Sequence, residues 1–352
     1  MKKLMFMVAV LAMFASSAYA ADWNFYGSAR VATFYGKTEV DNTPNVNSFD
    51  QNLQTNSRIG ADVKVSDELT GCFEYGASGG NADVRLLYGE WNFGAGSLLV
   101  GQDWTPLVMW NSNQVWAVDN GLWGVGEYGG HRLAQLKLIM GGFRLALMKP
   151  DVNFMDTVGA DLNSNSKTRS TEVKIPAIGL KYIYSADNYN LKAMAGYSSF
   201  DILSAAGDKS VDSYVLGVGA DISFGSFWFG ASVHGGSNVG NLGNEWVNNT
   251  YTGTGYASYN GTVLVDNDAM GYELVIIYTV NDMIALEAGY GYCETEFDVP
   301  NSYADKVNSY YVQAPITLAP GVVITPEIGV MDFKDANQEK TTYFGAKWQI
   351  NF

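Results

Sequence analysis

Apolar and polar residues alternate along much of the chain with a period of two. Between Tyr189 and Ser198, residues 189, 191, 193, 195 and 197 are apolar or aromatic, whereas four of the five residues between them are polar or glycine. Successive side chains of a β-strand point to opposite faces of its sheet, so this period predicts strands with one apolar and one polar face. The same alternation recurs at 214–222, 272–278 and 284–292.

The connections between the alternating segments are in turn short and long. The short ones hold two or three residues, and the longest of the others span roughly 105–130, 151–170 and 236–268. Strict alternation of this kind is typical of an up-and-down antiparallel barrel with turns at one end and loops at the other. The pattern predicts sixteen strands, near 22–37, 53–66, 69–77, 83–93, 97–104, 131–140, 143–150, 171–185, 189–200, 211–223, 226–235, 269–280, 283–296, 306–318, 321–333 and 341–352.

The two faces of these strands favour a membrane barrel over a soluble sandwich. The apolar faces carry aromatic residues near their ends, as a lipid-facing band between two girdles does, and the opposite faces are small and polar, as expected of a watery lumen. After the N-terminal segment, no apolar run reaches about 18 residues, the length that a transmembrane helix needs. We therefore predict an all-β fold, a transmembrane up-and-down antiparallel β-barrel of about 16 strands, in one domain that spans residues 21–352.

Residues 1–20 differ from the rest of the chain. Lys2 and Lys3 precede an apolar run at 4–15, and the small-residue sequence Ala-Tyr-Ala follows it. This is the pattern of a secretory signal peptide cleaved after Ala20, whereas a membrane anchor needs a longer apolar run. The chain is therefore expected to be exported.

Charge is scarce and mostly negative. Lys, Arg, Asp and Glu make up 16% of the residues and the formal net charge is −15, against about 25% charged residues in ordinary globular proteins. Removing Lys2 and Lys3 with the signal peptide would change the formal charge from −15 to −17. So acidic a chain lacks the electrostatic footprint of a nucleic-acid-binding protein. It favours a weak preference for cations in any channel that the chain forms.

Few residues are suited to cofactor or metal chemistry. Cys72 and Cys293 are too few for a disulfide framework, and His131 and His234 are too isolated for a histidine-rich metal site. We expect no cofactor and no metal. Ser232 shares a strand face with His234, but residues two apart on a strand lie about 7 Å apart, too far for contact between a nucleophile and its base. No enzymatic activity is expected.

Three stretches of the chain are motif-like. They are Phe-Tyr-Gly-Ser-Ala-Arg at 25–30, Ser-Arg-Ile-Gly at 57–60 and Arg-Leu-Leu-Tyr-Gly at 85–89. They resemble the first, second and fourth strands of the general-diffusion porins of Gram-negative outer membranes. The resemblance covers the mature chain and implies a sixteen-stranded, usually trimeric barrel whose third loop folds inward. The sequence departs from that family at Gln102, where many porins have arginine, and in its third loop, which lacks the usual Pro-Glu-Phe-Gly-Gly-Asp stretch.

The chain ends on a regular alternation. Phe344, Ala346, Trp348, Ile350 and Phe352 share one strand face, and the last of them is the final residue. Such a closing strand resembles the signal that the outer-membrane barrel assembly machinery reads. The resemblance thus implies an integral protein of the cell outer membrane, in contact with its lipid and lipopolysaccharide.

The same resemblance implies a charged constriction in a water-filled channel. Porin pores set acids of the third loop against basic side chains of the facing wall. A charge facing lipid at mid-depth costs about 2–4 kcal/mol, which favours arginines that face inward. The protein is therefore expected to let small hydrophilic solutes and ions diffuse passively across the outer membrane. The expected basic wall holds Arg30, Arg58, Arg85 and Arg132, and the expected acids are Asp103, Asp119 and Glu127.

Three alternatives stay open. The four arginines could instead pair with carboxylates of neighbouring strands and brace the wall. Four of the nine Trp residues lie between 104 and 123, and aromatic rings can offer apolar faces to sugars. A saccharide-preferring channel is therefore a second hypothesis, although the same rings could simply pin the loop. The third alternative is a structural or adhesive barrel whose function resides in the 236–268 loop.

Two finer expectations concern the orientation of side chains. If Arg85 faces inward, strict alternation places Glu90 on the outer face. Gly27, Ala29 and Ala61 are small residues on the outer face near the start of the barrel. They would allow close contact between the subunits of a homotrimer.

Overall fold

The computed structural model describes residues 21–41, 43–78, 81–156, 169–205, 207–243, 255–334 and 339–352. The predicted signal peptide lies outside the described residues. Within them, regular structure consists of β-strands and one short 3-10 helix, Val239–Leu242. In this part of the chain, no helix has the length and apolar character that crossing a membrane requires.

The strands follow the predicted alternation closely. They are β1 (Asp22–Glu39), β2 (Val46–Leu53), β3 (Arg58–Lys64), β4 (Leu69–Ser78), β5 (Asn81–Asn92), β6 (Ser97–Trp104), β7 (Arg132–Met140), β8 (Phe143–Met148), β9 (Met155–Asp156), β10 (Thr171–Val173), β11 (Ala177–Ser185), β12 (Tyr189–Ile202), β13 (Lys209–Phe224), β14 (Phe227–Ser237), β15 (Ser258–Tyr259), β16 (Leu264–Val265), β17 (Asn267–Asn281), β18 (Ile284–Phe297), β19 (Asp305–Gln313), β20 (Ile316–Ala319), β21 (Val322–Phe333) and β22 (Lys340–Asn351).

The main sheet closes on itself. Each strand pairs antiparallel with its neighbours, and β1 pairs with β22 from Ser28 opposite Asn351 to Glu39 opposite Lys340. The sheet has 19 strands, but at three places two consecutive strands follow one another along the same neighbour and together occupy one position in the barrel. These pairs are β2 with β3, β10 with β11, and β19 with β20. The described strands thus form a closed antiparallel barrel of 16 positions, which confirms the predicted fold class.

Proline explains two of the three interruptions. The sequence pattern predicts continuous strands at 171–185 and 306–318, but Pro176 separates β10 from β11 and Pro315 precedes β20. Proline has no N–H to donate to a neighbouring strand, so the regular hydrogen bonding between strands is interrupted at its position. These breaks leave the order of the barrel unchanged.

The third interruption lies between β2 and β3. The pattern predicts one strand at 53–66, so it missed both this interruption and most of β2. Residues 54–57 leave the ladder and form a tight turn, in which the Ser57 N–H donates to the Gln54 carbonyl at 2.9 Å. The turn stays attached to β1, because the Ser57 hydroxyl accepts from the Arg30 N–H at 3.0 Å. Freed from pairing, its polar side chains can contact the third loop.

The outer face is apolar and aromatic at its rims. Leu216 at mid-strand is 61% exposed in the isolated chain. At the end with the long loops, the Tyr35 ring packs against Phe49 at 4.7 Å between centroids. At the end with the short turns, the Phe227 ring packs against Tyr278, also at 4.7 Å. Two aromatic rims around an apolar band are the expected surface of a membrane-spanning barrel.

A β-bulge changes which way one predicted side chain points. The pairing of β4 with β5 shifts register between Glu74 and Tyr75, so strict alternation breaks beside Arg85. Arg85 and Glu90 therefore both face the lumen, and the Glu90 carboxylate accepts a hydrogen bond from the Ser97 hydroxyl. The expectation that Glu90 faces outward is wrong.

The small residues at the start of the barrel are mostly covered by the chain itself. A Cβ on Gly27 would meet the Phe352 ring at 2.5 Å. Ala61 lies between Phe25 and Phe73 in the register and is 0% exposed. Of the three, Ala29 stays exposed. These residues therefore give little support to a close contact between subunits.

Candidate functional site

The connection between β6 and β7, residues 105–131, lies inside the barrel and is called the third loop here. Its two ends meet where the Thr105 N–H donates to the His131 carbonyl at 2.9 Å. Near these ends it packs against the inner wall through Leu107, Met109 and Tyr128, which contact Ala146, Met148, Met194 and Val215.

Farther along, three wall glutamates attach the loop in order. The Asn111 amide donates to Glu273 in β17 at 2.7 Å. The Asn113 N–H donates to Glu287 in β18 at 2.8 Å. The Val115 N–H donates to Glu327 in β21 at 2.7 Å. Alternate loop residues thus reach β17, β18 and β21 in their order around the barrel.

Amide side chains of the wall satisfy the loop's carbonyl groups. Gln313 donates to the Asn113 carbonyl at 2.8 Å. Gln54, in the turn between β2 and β3, donates to the carbonyls of Val115 at 2.8 Å and Ala117 at 3.1 Å. These bonds hold the loop along the wall from β17 to β1, so the open part of the lumen lies opposite, beside β1 to β7.

A cavity of about 610 Å³ fills that open part. Charged side chains line it unequally, with five cations and two acids. The cations are Arg30, Arg58, Arg85, Arg132 and Lys347, and the acids are Asp119 and Glu127. The structure therefore brings all four sequence-predicted arginines to one cavity, together with a lysine that the prediction omitted.

The arginines differ in how far their charge is balanced. Arg85 lies 2.5 Å from the Glu74 carboxylate, and Arg58 lies 3.6 Å from the same group. Arg132 stacks over the Trp104 ring at 4.6 Å from its centroid. Among the described residues it has no acidic partner, and its Nη1 is buried without a hydrogen-bond acceptor. The charge of Arg132 is therefore the least balanced of the four.

The three predicted acids lie in three different environments. Asp119, at the tip of the third loop, pairs with Arg30 at 2.5 Å and with Lys347 at 3.0 Å. Asp103 belongs to β6 and pairs with Lys137, away from the residues that line the cavity. The structure thus brings one predicted acid directly to the basic wall and separates the other two from it.

Glu127 borders the cavity but is almost wholly buried, with 1% of its surface exposed. One carboxylate oxygen accepts from the N–H groups of Asn111 at 2.6 Å and Ser112 at 3.1 Å. Burial, reinforced by the neighbouring Glu273, raises the pKa of Glu127 well above its usual range. It therefore carries less negative charge near neutral pH than an exposed glutamate does.

Tryptophan rings also line the cavity, and most of them are fixed by neighbours. Trp104 and Trp110 meet edge to face at 4.3 Å between centroids. The Trp123 indole N–H donates to the Gly129 carbonyl at 2.8 Å. Trp116 lies outside the cavity lining and stacks on Tyr343 at 4.4 Å. Trp110 is still 39% exposed and offers a free ring surface.

Other candidate chemistry finds no support in the described part of the chain. No group of three or more His, Cys, Asp or Glu residues there could hold a metal ion. The Ser232 hydroxyl donates to Glu273 at 2.9 Å, and the His234 ring packs against Tyr128. Both residues therefore belong to the support of the third loop.

Sequence reasoning missed the residues that position the loop. Lys347 alternates with Phe344, Ala346 and Trp348 and could have been assigned to the lumen from that pattern. Likewise, the alternation places Glu273 and Glu287 on the inner face. Their bonds to the loop depend on contacts more than 150 residues apart in sequence, which period-two alternation does not encode.

The comparisons with known proteins agree on the fold. A family model described as Gram-negative porin matches residues 8–336. No match was found among curated proteins. Among solved structures, the outer membrane channel DcaP of Acinetobacter baumannii is 17% identical, with a TM-score of 0.73 over 95% of this chain and 98% of that one.

Two further solved structures are similar. The anion-selective porin from Comamonas acidovorans is 12% identical, with a TM-score of 0.59 over 94% of this chain and 100% of that one. A trimer form of OmpT from Vibrio cholerae is 15% identical, with a TM-score of 0.57 over 95% and 100% of the two chains.

Proposed function

Because this chain belongs to the Gram-negative porin family, and is thus an outer-membrane channel for passive diffusion, we propose that its constriction is positively charged. One observation carries the proposal: five cations line the cavity beside the third loop, whereas only two acids, Asp119 and Glu74, are paired with them and Glu127 is buried. The net charge of the whole chain, −15, therefore does not describe the narrow part of the pore.

A positive constriction favours anions among the small hydrophilic solutes that pass. At physiological salt the Debye length is about 8 Å, so charges that line the narrow region act on a passing ion, whereas acids elsewhere on the barrel are screened. Arg132, which lines the cavity and has no acidic partner among the described residues, adds a positive charge that no carboxylate balances. The similar solved porin that is described as anion-selective supports the same proposal.

A planar-bilayer recording of the purified mature protein tests the channel itself. Stepwise increases in conductance are expected as single oligomers insert. A correctly folded, heat-modifiable oligomer that gives no steps would favour the structural or adhesive barrel instead. The sign of ion selectivity is then measured on the same protein.

Saccharide passage is a second candidate function, and the exposed ring of Trp110 favours it. In this alternative the ring stacks on a sugar as it crosses the cavity. Added maltose would then reduce the ionic current in a concentration-dependent way, and Trp110→Ala would abolish that reduction. If maltose does not change the current at any concentration, saccharide passage is excluded and Trp110 has only a packing role.

The assembly and its partners are part of the proposal. A homotrimer is supported by the trimer form of a similar porin. Phe352 supports recognition by the barrel assembly machinery, since it is 73% exposed and pairs with Gly27 at the closing seam, where its N–H donates to the Gly27 carbonyl at 3.0 Å. Outer-membrane lipid and lipopolysaccharide would surround the apolar band. A cleaved signal peptide predicts a mature N-terminus at Ala21, which mass spectrometry tests.

A further inference from the structure

A second row of basic side chains lines the lumen, away from the cavity of the proposed constriction. Four successive barrel strands, β7, β8, β11 and β12, each place one base on the inner face. Arg144 lies directly opposite Lys181 in the ladder between β8 and β11. Lys137 and Lys192 flank this pair diagonally on the outer two strands. We call these four residues the lower basic row.

The two ends of the row are balanced by acids, and its centre is not. Lys137 pairs with Asp103, and Lys192 lies 2.8 Å from Asp221. Among the described residues, Arg144 and Lys181 have no acidic partner. Like charges directly opposite each other on antiparallel strands are destabilising, so the centre of the row contains a repulsion that a bound anion would relieve.

The central pair keeps donors available for such an anion. The Arg144 guanidinium donates to the Gly142 carbonyl at 3.0 Å, and the Lys181 ammonium donates to the Val108 carbonyl. An arginine has five N–H donors and a lysine ammonium has three, so these bonds occupy a minority of them. Both side chains are half-buried on the inner face of the barrel.

The row lies between the third loop and the short turns. Its arginine is next to the turn at 141–142, and Lys181 contacts the loop from that side. On β7, Lys137 is five residues from Arg132, a separation of roughly 17 Å along the strand. The field of the arginine cavity is screened over that distance, so an anion leaving toward the turn end meets a separate set of charges.

We propose that Arg144 and Lys181, flanked by Lys137 and Lys192, form a second anion-binding site on the turn side of the third loop. Its ligand is a carboxylate or a small inorganic oxyanion, since a planar guanidinium beside an ammonium matches two oxygens of such a group. The site rests on the proposed function in one respect: the constriction must let anions reach it.

Sided block by inorganic phosphate tests this site. Chloride current is recorded while phosphate is added to one chamber and then to the other. Block from the turn side is expected to need at least about tenfold more phosphate in Arg144→Gln than in the unmodified protein, because one charged hydrogen-bond donor is lost. Block from the loop side should be unchanged. Lys181→Gln should act in the same direction. Lys181 also donates to the third loop at Val108, whereas Arg144 donates to the turn at Gly142. A weaker block in Arg144→Gln therefore reports the loss of the site and not a loosening of the loop.

Lys64→Gln is the matched control. Lys64 is also a base at the turn end, but it is exposed and lies 2.7 Å from Asp67. The same phosphate sensitivity in Arg144→Gln as in the unmodified channel overturns the second site and leaves the constriction untouched. A cation-preferring channel whose phosphate block still weakens in Arg144→Gln overturns the proposed constriction instead.

Discussion

Arg30 of the wall and Asp119 at the tip of the third loop form an ion pair at 2.5 Å, and Lys347 holds the other oxygen of the same carboxylate at 3.0 Å. The acid at the tip of the third loop is therefore shared by two cations of the wall. The pair fixes the loop tip and, at the same time, removes the main negative charge from the constriction. In the proposed constriction, the arginines would therefore both hold the loop and set the selectivity.

Replacing Asp119 by Asn should strengthen the preference for anions. The amide oxygen can still accept from Arg30, so the loop tip is expected to stay attached while one negative charge is lost. Reversal potentials under a salt gradient measure the change. A shift toward cations in Asp119→Asn would contradict the proposed charge balance. Asp332→Asn, which removes an acid paired with Lys334 away from the cavity, should leave the potential unchanged.

Replacing Arg58 or Arg85 by Ala should shift selectivity toward cations. Arg58 is expected to have the larger effect, since it lies 3.6 Å from Glu74 and its charge is less fully balanced than that of Arg85 at 2.5 Å. The same reversal-potential measurement ranks the two variants. Lys334→Ala serves as the control for loss of a positive charge outside the pore, and variants indistinguishable from it would remove both arginines from the constriction.

Replacing Glu287 by Ala should loosen the third loop. Glu287 accepts from the Asn113 N–H at 2.8 Å and from its side-chain amide at 3.0 Å. Leaving such buried donors unsatisfied costs about 1–3 kcal/mol, which would appear as more frequent current fluctuations in single-channel recordings. Glu287→Gln keeps an acceptor for the backbone N–H and should show fewer current fluctuations than Glu287→Ala. Identical noise in both variants and the unmodified channel would exclude this anchor.

The buried Glu127 predicts that the third loop becomes less stable as pH rises. Its pKa is raised by burial and by Glu273, so the folded loop binds the proton more tightly than the unfolded chain does. The stabilisation is complete below the ordinary glutamate pKa of about 4.3, declines as pH rises above it, and is lost once pH exceeds the raised pKa. Current fluctuations should therefore increase with pH in the unmodified channel and lose most of that dependence in Glu127→Gln. A flat profile in the unmodified channel would contradict the prediction.

Local sequence patterns were sufficient to predict the barrel, whereas the four arginines of the expected basic wall were chosen from the resemblance to porins. Period-two alternation located the strands, and the alternation of short and long connections gave their order. The same periodicity, together with the cost of charge in lipid, placed Arg30 and Arg58 on the lumen face. The pattern failed where an extra residue entered a strand: the shift at Glu74 and Tyr75 reversed the orientation assigned to Glu90.

The acids of the third loop could not be sorted by sequence alone. Asp103, Asp119 and Glu127 are all acids, but they have different partners and positions: a strand lysine, two wall cations and a buried pocket, respectively. Those environments are created by long-range contacts. The turn at Gln54 shows the same limit, because its purpose is visible only in its bonds to Val115 and Ala117.

The reversal potential of the unmodified channel under a tenfold KCl gradient tests the central claim most directly. A perfectly selective channel gives about 59 mV, with a sign that reports which ion passes. The excess of arginine and lysine beside the third loop predicts a reversal potential with the sign of a chloride-selective channel. A potential of the sign for potassium would contradict it and would show that the overall acidity of the chain, rather than its constriction, sets selectivity.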